Sequence, residues 1–313
     1  MWEGSDIDLV VVRREWEGVT PDYHCRLING VIVHSTILTL RDLKRHDPKA
    51  LRWLKGIKIL EDEQKIIENS LQHIPEINSA VKTPSIRKAL ETLLNRSQKP
   101  LQKGDAATAV IRLREGALRF VSTWLGAKGI HVRSGGRRSF DQIMKHLDNL
   151  EQTDITKSLL NLYQADVETE EAEKTVNETI NLSTRVYCHL YRTGLIEHLT
   201  PNELGLMKHA SSAEELGDFL EALHRPVARH YPRSSVVYCE FTAISLAERL
   251  MQAIQHAQGK EYDDGVLVRS LVDTTNLPDL FLRDFMKLSR LPPSEDSQTK
   301  TIEMTTNILK RLT

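Results

Sequence analysis

The stretch GSDIDLVVV, residues 4–12, decides how the beginning of this chain is interpreted. Its unbroken apolar run is typical of a buried β-strand. Alternate side chains of a strand point to the same side, so Asp6 and Asp8 are expected to share one face. Two neighbouring carboxylates repel each other unless a cation lies between them, and Mg²⁺ prefers such oxygen ligands. The stretch therefore predicts a magnesium site at Asp6 and Asp8, at the edge of the first strand.

The residues that alternate with these acids are apolar. Ile7, Leu9 and Val11 are expected to point to the opposite, buried side of the strand. Further along, Asn29-Gly30 separates two apolar runs and predicts a β-hairpin, because both residues tolerate a positive φ. We also expect Thr39 to cap a helix and residues 57–60 to form another short strand.

The rest of the chain, from about residue 74, has the periodicity of helices. The clearest helix is expected over residues 105–128, and a second helical block follows residue 200. Residues 292–300 are expected to form a loop, because they are rich in Pro, Ser and charged residues. Similar segments around Glu115 and Glu248 leave two explanations open: an internal duplication, or the general resemblance of amphipathic helices.

Composition limits the possible classes of protein. The chain has 313 residues, a formal net charge of −1, 40% hydrophobic and 27% charged residues, which is typical of a folded globular protein. A nucleic-acid-binding surface spread over the whole chain is excluded, whereas a local patch is not. The three cysteines lie far apart and no long apolar stretch occurs, so we expect a cytoplasmic protein without disulfides or membrane spans.

The segment Ser5-Asp6-Ile7-Asp8-Leu9 resembles a motif of the nucleotidyltransferase superfamily of DNA polymerase β type, particularly its small prokaryotic and aminoglycoside-modifying members. In that family, Ser-Asp-x-Asp-Leu opens a strand. Residues 56–62 are similar to the closing strand of such domains. The resemblance covers about the first 70 residues, and the helical remainder resembles the HEPN-type bundles that accompany them.

The resemblance implies a Mg²⁺-dependent enzyme. Asp6 and Asp8 would be its catalytic metal ligands, and Gly4 and Ser5 would contact the nucleotide. The implied reaction transfers a nucleotidyl group, AMP from ATP in the first instance, to an acceptor hydroxyl that the sequence does not identify.

Two features depart from the family pattern. The family has a Gly-Ser turn about ten residues before its acidic motif, but this sequence begins at Met1, and Gly4-Ser5 is too close to Asp6 to replace that turn. We therefore expect an incomplete domain, truncated at its N-terminus. The family also has a third acidic residue on a later strand, where this chain has His34.

Other residues offer alternative functions. Glu115 is a candidate for the base that the helical domain of some relatives supplies. Arg185 and His189, four residues apart on a predicted helix, are similar to the Arg–His pair of HEPN-type ribonucleases. The loop of residues 133–138 is basic and could contact phosphate. A further alternative is a decayed domain that serves as an interaction scaffold for a partner or for a homo-oligomer.

These features together predict an α+β protein. We expect a partial nucleotidyltransferase domain with a small, incomplete sheet over residues 1–75. A HEPN-like helical bundle follows over residues 76–199, and a second helical bundle over residues 200–313.

Overall fold

The computed structural model describes residues 7–17, 22–29, 31–45, 54, 58–62, 65–72, 86–130, 132, 137–275, 277–278 and 280–313. The chain forms two compact units, Met1–Thr83 and Pro84–Thr313. The first contains a three-stranded sheet, and the second contains helices without a strand in its described residues. This confirms the α+β class with a small sheet before a helical region. The domain boundaries predicted after residues 75 and 199 stay predictions.

The sheet of the first unit consists of β1 (Ile7–Arg13), β2 (Asp22–Ile28) and β3 (Val31–Thr39). Its strand order is β1-β3-β2. Strand β3 pairs in parallel with β1 and antiparallel with β2, which confirms the predicted hairpin. Asn29 between β2 and β3 has a φ of 50°, the left-handed conformation that asparagine tolerates in a tight turn.

Two short helices follow the sheet, α1 (Leu40–Lys44) and α2 (Ile66–Leu71). Thr39 caps α1 as predicted: its Oγ1 accepts from the Asp42 backbone N–H at 3.2 Å, and Asp42 Oδ2 accepts from the Thr39 N–H at 2.8 Å. The small core of this unit lies beneath one face of the sheet. It contains Leu38, Leu43 and Leu54, with Val10, Val12, Ile66 and Ile67 packed against them.

The prediction for the faces of β1 is wrong. Ile7, Leu9 and Val11 are 41%, 36% and 38% exposed. The covered side is instead the one that Asp8 shares with Val10 and Val12, which pack against the core. The run from Leu9 to Val12 is apolar on both faces, so its pattern does not indicate which face is covered.

The predicted strand at residues 57–60 is also wrong where the structure describes it. Residues 58–62 belong to neither a strand nor a helix, and Leu60 is 80% exposed. Ile57 lies outside the described residues. The similarity of residues 56–62 to a closing strand is therefore not accompanied by a fourth strand in the described part of this unit.

The second unit contains eleven described α-helices. They are α3 (Ile86–Gln102), α4 (Ala106–Ala127), α5 (Ser139–Asn149), α6 (Thr153–Tyr163), α7 (Thr169–Arg192), α8 (Pro201–Leu204), α9 (Ala213–His230), α10 (Pro232–Ala257), α11 (Leu267–Asp273), α12 (Phe281–Leu288) and α13 (Glu295–Lys310). The predicted loop at residues 292–300 is wrong beyond Ser294. That residue caps α13 by accepting from the Ser297 N–H, and Glu295 and Asp296 occupy the first turn, where acidic residues are favourable.

Ten of these helices, all but α8, form two repeats of five. The first repeat runs from α3 to α7 and the second from α9 to α13, and corresponding residues of their first two helices lie 126 positions apart, as Arg114 and Glu240 do. Pro100 and Pro226, each inside a helix, correspond in the same way. Each buried residue of α10 up to Met251 has a buried counterpart in α4. The structure therefore supports the internal duplication that the sequence left open.

The two repeats exchange their last helices. Helix α7 of the first repeat packs on α9, α10 and α12 of the second, and α13 of the second repeat packs on α3, α4 and α6 of the first. Hydrogen bonds between the repeats follow the same symmetry. Thr108 Oγ1 accepts from the Val268 N–H at 2.9 Å, and the corresponding Ser234 Oγ accepts from the Asp141 N–H at 2.9 Å. The second unit is thus an intertwined pair of repeats related by an approximate two-fold axis.

Candidate functional site

Asp8 lies near the beginning of β1 with an exposed side chain. Its neighbour across the parallel pairing is His34 of β3. Paired residues of adjacent strands point to the same face and lie about 5 Å apart, so the carboxylate and the imidazole are side by side. The structure thus brings Asp8 together with His34, the residue expected where the nucleotidyltransferase pattern has its third acid. Asp6, Gly4 and Ser5 lie outside the described residues.

His34 is engaged by a neighbouring tyrosine. The rings of Tyr23 and His34 stack with centroids 5.4 Å apart and an angle of 25° between their planes. The Tyr23 hydroxyl is also hydrogen-bonded to His34 Nδ1. These contacts engage the ring face and Nδ1 of His34. The tyrosine was not among the sequence-predicted site residues, because only the antiparallel register of β2 and β3 brings it to His34.

The residues beside Asp8 fit a magnesium ion only in part. The exposed carboxylate of Asp8 is a suitable hard ligand, whereas an imidazole suits softer transition metals better. No group of three or more His, Cys, Asp or Glu residues with metal-binding geometry occurs among the described residues. Asp8 is therefore the described residue that would hold Mg²⁺.

Glu115, the candidate base, belongs to an ion-pair network inside the second unit. Its two carboxylate oxygens each lie 3.0 Å from Arg112 Nη1, and Glu248 Oε1 lies 2.6 Å from the same atom. Burial alone would lower the pKa of Arg112, but the two carboxylates outweigh it and raise the pKa. The Arg112 side chain also donates to the Asp264 carbonyl at 2.9 Å. Glu115 thus accepts from a nearly buried, permanently charged arginine.

Arg185 and His189 both lie on α7, as predicted. The Arg185 guanidinium forms an ion pair with Asp284 and donates to the Asn181 carbonyl at 3.2 Å. His189 Nε2 is buried and has no hydrogen-bond partner in the described part of the chain. Burial lowers the pKa of His189, which favours its neutral form. Arg185 and His189 thus share a helix, but the arginine is bound to a carboxylate of the second unit.

The described part of the basic loop, residues 137–138, makes intramolecular contacts. Arg137 donates to the Leu223 carbonyl at 3.3 Å, and the Arg138 guanidinium lies 5.7 Å from the centre of the Tyr231 ring. Residues 133–136 lie outside the described residues.

No helix among the described residues is both long enough and apolar enough to cross a bilayer. No family model, curated protein or solved structure matches this chain. The geometry of the described residues is therefore the basis for proposing a function.

Proposed function

We propose that the first unit binds a nucleoside triphosphate with Mg²⁺ and transfers its nucleotidyl group to a hydroxyl acceptor. The observation that carries the proposal is the exposed carboxylate of Asp8, next to His34, at the beginning of a strand whose sequence places Asp6 two residues earlier. A mixed sheet with β1 parallel to β3 is compatible with the nucleotidyltransferase resemblance. ATP is the first nucleotide to test.

In this reaction an acceptor oxygen forms a bond to the α-phosphorus while the bond to the β-phosphate oxygen breaks and pyrophosphate leaves. The bound Mg²⁺ supplies positive charge that orients the triphosphate and stabilises the leaving group. Asp8, with Asp6, would hold that ion at the sheet edge. His34 is the titratable side chain beside Asp8 in the described sheet, and its neutral form could take the acceptor proton.

A second candidate is a nucleotide-binding-fold scaffold without catalytic activity. The contact between Tyr23 and His34 favours it, because the position of the third acid holds an imidazole that already has a partner. In this alternative the two helical repeats would bind a partner or a second copy. The ribonuclease alternative has less support, since Arg185 is paired with Asp284.

Calorimetry with ATP, in the presence and absence of Mg²⁺, tests binding by the whole chain. We expect Mg²⁺-dependent binding that Asp8→Asn weakens at least tenfold, because the amide keeps the size of the side chain but loses its charge. Asp154→Asn is the matched control, an exposed acid of the second unit. Equal affinity in wild type and Asp8→Asn would reject the proposal.

Pyrophosphate release separates the two candidates once binding is established. A transferase should release pyrophosphate from Mg-ATP when acceptor mixtures rich in hydroxyl groups are added, and Asp8→Asn should abolish that release. Mg²⁺-dependent binding without pyrophosphate release under any acceptor mixture would favour the scaffold.

A further inference from the structure

A second feature of the first unit is a cationic pocket at one end of its sheet. The pocket has a volume of about 540 Å³ and is lined by Arg14, Leu40, Arg41, Lys44 and Arg45. Its four cationic side chains are exposed, and none forms an ion pair with another described residue. Among the described residues, no acidic side chain lines the pocket.

The fold brings these cations together from two chain segments. Strands β1 and β3 are parallel, and Arg13 at the end of β1 pairs with Thr39 at the end of β3. Arg14 and the start of α1 therefore lie at the same end of the sheet, where these two strands finish. Within α1 and its C-cap, Arg41, Lys44 and Arg45 follow a spacing of three and four residues, which places them on one side of a helical turn.

The acids next to these cations in the sequence, Glu15 and Asp42, are not among the described residues that line the pocket. Asp42 Oδ2 accepts from the Thr39 backbone N–H at 2.8 Å and from the Thr39 hydroxyl at 2.6 Å, so this carboxylate is held in the helix cap. Four like charges in one concavity repel each other, and the arrangement is favourable only when anions enter it. The sequence around the pocket is also rich in positive charge: residues 41–58, which include three of the pocket's cations, contain seven Lys or Arg and two Asp.

We propose that the cationic pocket binds the phosphate backbone of a single nucleic-acid strand. Four cations match several phosphates in sequence, whereas one free phosphate needs only one or two of them. Leu40, the apolar residue among the described lining residues, is half-buried, and a concavity receives a strand more readily than a flat bilayer. The net charge of the whole chain is −1, so this attraction is confined to the pocket.

The cationic pocket is distinct from the site at Asp8. Arg14 follows Asp8 by six positions and comes directly after β1, and six residues of extended chain correspond to about 20 Å. Binding at the pocket should therefore be unchanged in Asp8→Asn. A failure of either proposal can be recognised independently of the other.

Fluorescence anisotropy of labelled oligouridylate with the full chain, measured over a series of KCl concentrations, tests the proposal. Four phosphate contacts predict a slope of log affinity against log salt of about −3, since each contact on a single strand contributes about −0.7. Arg41→Gln with Lys44→Gln should weaken binding at least tenfold at low salt and reduce the slope by about half. Both side chains are exposed, and the Thr39–Asp42 cap of α1 is retained.

The matched control is Lys145→Gln with Lys157→Gln, which removes the same charge from exposed positions of the second unit. It should leave the affinity and the slope within a factor of two of wild type. Equal losses in the control and the pocket variant would overturn the proposal. So would full competition by millimolar inorganic phosphate, which indicates a small-anion site, or tighter pocket-dependent binding to phosphatidylserine vesicles than to the oligonucleotide.

Discussion

Arg114 and Glu240 occupy corresponding positions in the two helical repeats and form a fully buried ion pair with one another. Arg114 Nη1 lies 2.6 Å from Glu240 Oε1, and both side chains are 0% exposed. Corresponding residues meet only at an axis of symmetry, so the pair marks the approximate two-fold axis of the second unit. A repeat paired with its own copy would bury two like charges at this point. The charge difference therefore favours pairing of the two unlike repeats.

Because Arg114 is fully buried, we expect that removing its charge lowers the stability of this unit more than removing any other single charge does. Arg114 also donates from Nε to the Leu162 carbonyl at 2.6 Å and from Nη2 to the Arg290 carbonyl at 3.0 Å. Arg114→Leu leaves those carbonyls and Glu240 without their donor, which should lower the free energy of unfolding by about 3–5 kcal/mol. Urea denaturation followed by circular dichroism measures this loss.

The exposed pair of Arg311 and Asp154 is the control for this prediction, with side chains 71% and 78% exposed and a separation of 3.9 Å. Arg311→Leu should change the free energy of unfolding by less than about 1 kcal/mol. Comparable losses in the two variants would contradict the importance assigned to the buried pair.

Glu240 should make the second unit less stable as the pH rises. Burial raises the pKa of Glu240 from 4.5 to about 7, and the charge of Arg114 offsets this only in part. The folded state then binds a proton that the unfolded state has lost, so this contribution is present below pH 4.5 and disappears as the pH rises through about 7. Its full size is on the order of 3 kcal/mol.

The matching variant is Glu240→Gln, which cannot titrate and keeps an oxygen for Arg114. Urea denaturation of wild type and variant between pH 5 and pH 8 should give a difference in stability that shifts in favour of the variant as the pH increases. A difference that stays constant over this range would show that Glu240 has an ordinary pKa.

Two glycines of α4 should respond oppositely to the same change. A Cβ at Gly116 would lie 2.3 Å from Leu93 Cδ1, whereas a Cβ at Gly126 would meet nothing within 4 Å. Gly126→Ala should stabilise the unit by about 0.5–1 kcal/mol through helix propensity. Gly116→Ala should lose that gain, because Leu93 is buried and overpacking costs about 1–3 kcal/mol. Thermal denaturation compares them, and equal shifts of Tm would contradict the packing of α3 on α4.

The exchange of α7 and α13 predicts that the two repeats unfold together. Leu309 of α13 is fully buried in the core of the first repeat, among side chains of α3, α4 and α6. Leu309→Ala should lower stability by about 2–5 kcal/mol. If the repeats unfold together, hydrogen exchange should accelerate in the most protected amides of the first repeat and of the second repeat by the same factor. Acceleration limited to one repeat would mean that the repeats are independent.

Local signals in the sequence predict much of the first unit. Asn29-Gly30 predicts the hairpin and Thr39 the cap, because turn and capping preferences depend on a few neighbouring residues. The covered face of β1 is not predictable in this way, because it depends on which elements pack on the sheet. The start of α13, directly after Ser294, is not predictable from local signals for a different reason. Ser, Glu and Asp favour both loops and the first turn of a helix.

The duplication shows the same limit at longer range. The sequence similarity pairs Glu115 with Glu248, whereas the structure pairs Arg114 with Glu240, about two helical turns away from that register. A shift of two turns keeps the same face of a helix covered, so amphipathic periodicity cannot distinguish the two registers. The ion pair at the axis, and the cationic pocket of the first unit, depend on contacts between distant segments and become visible only in the fold.

Electron paramagnetic resonance of Mn²⁺, which replaces Mg²⁺, tests most directly whether Asp8 holds a divalent ion against a nucleotide. The measured quantity is the concentration of free Mn²⁺ as the chain is added, with and without a non-hydrolysable ATP analogue. We predict that the chain binds Mn²⁺ with the analogue in a one-to-one-to-one complex and that Asp8→Asn weakens this complex at least tenfold. An unchanged complex in Asp8→Asn, or no complex in the wild-type chain, would contradict the nucleotidyltransferase proposal.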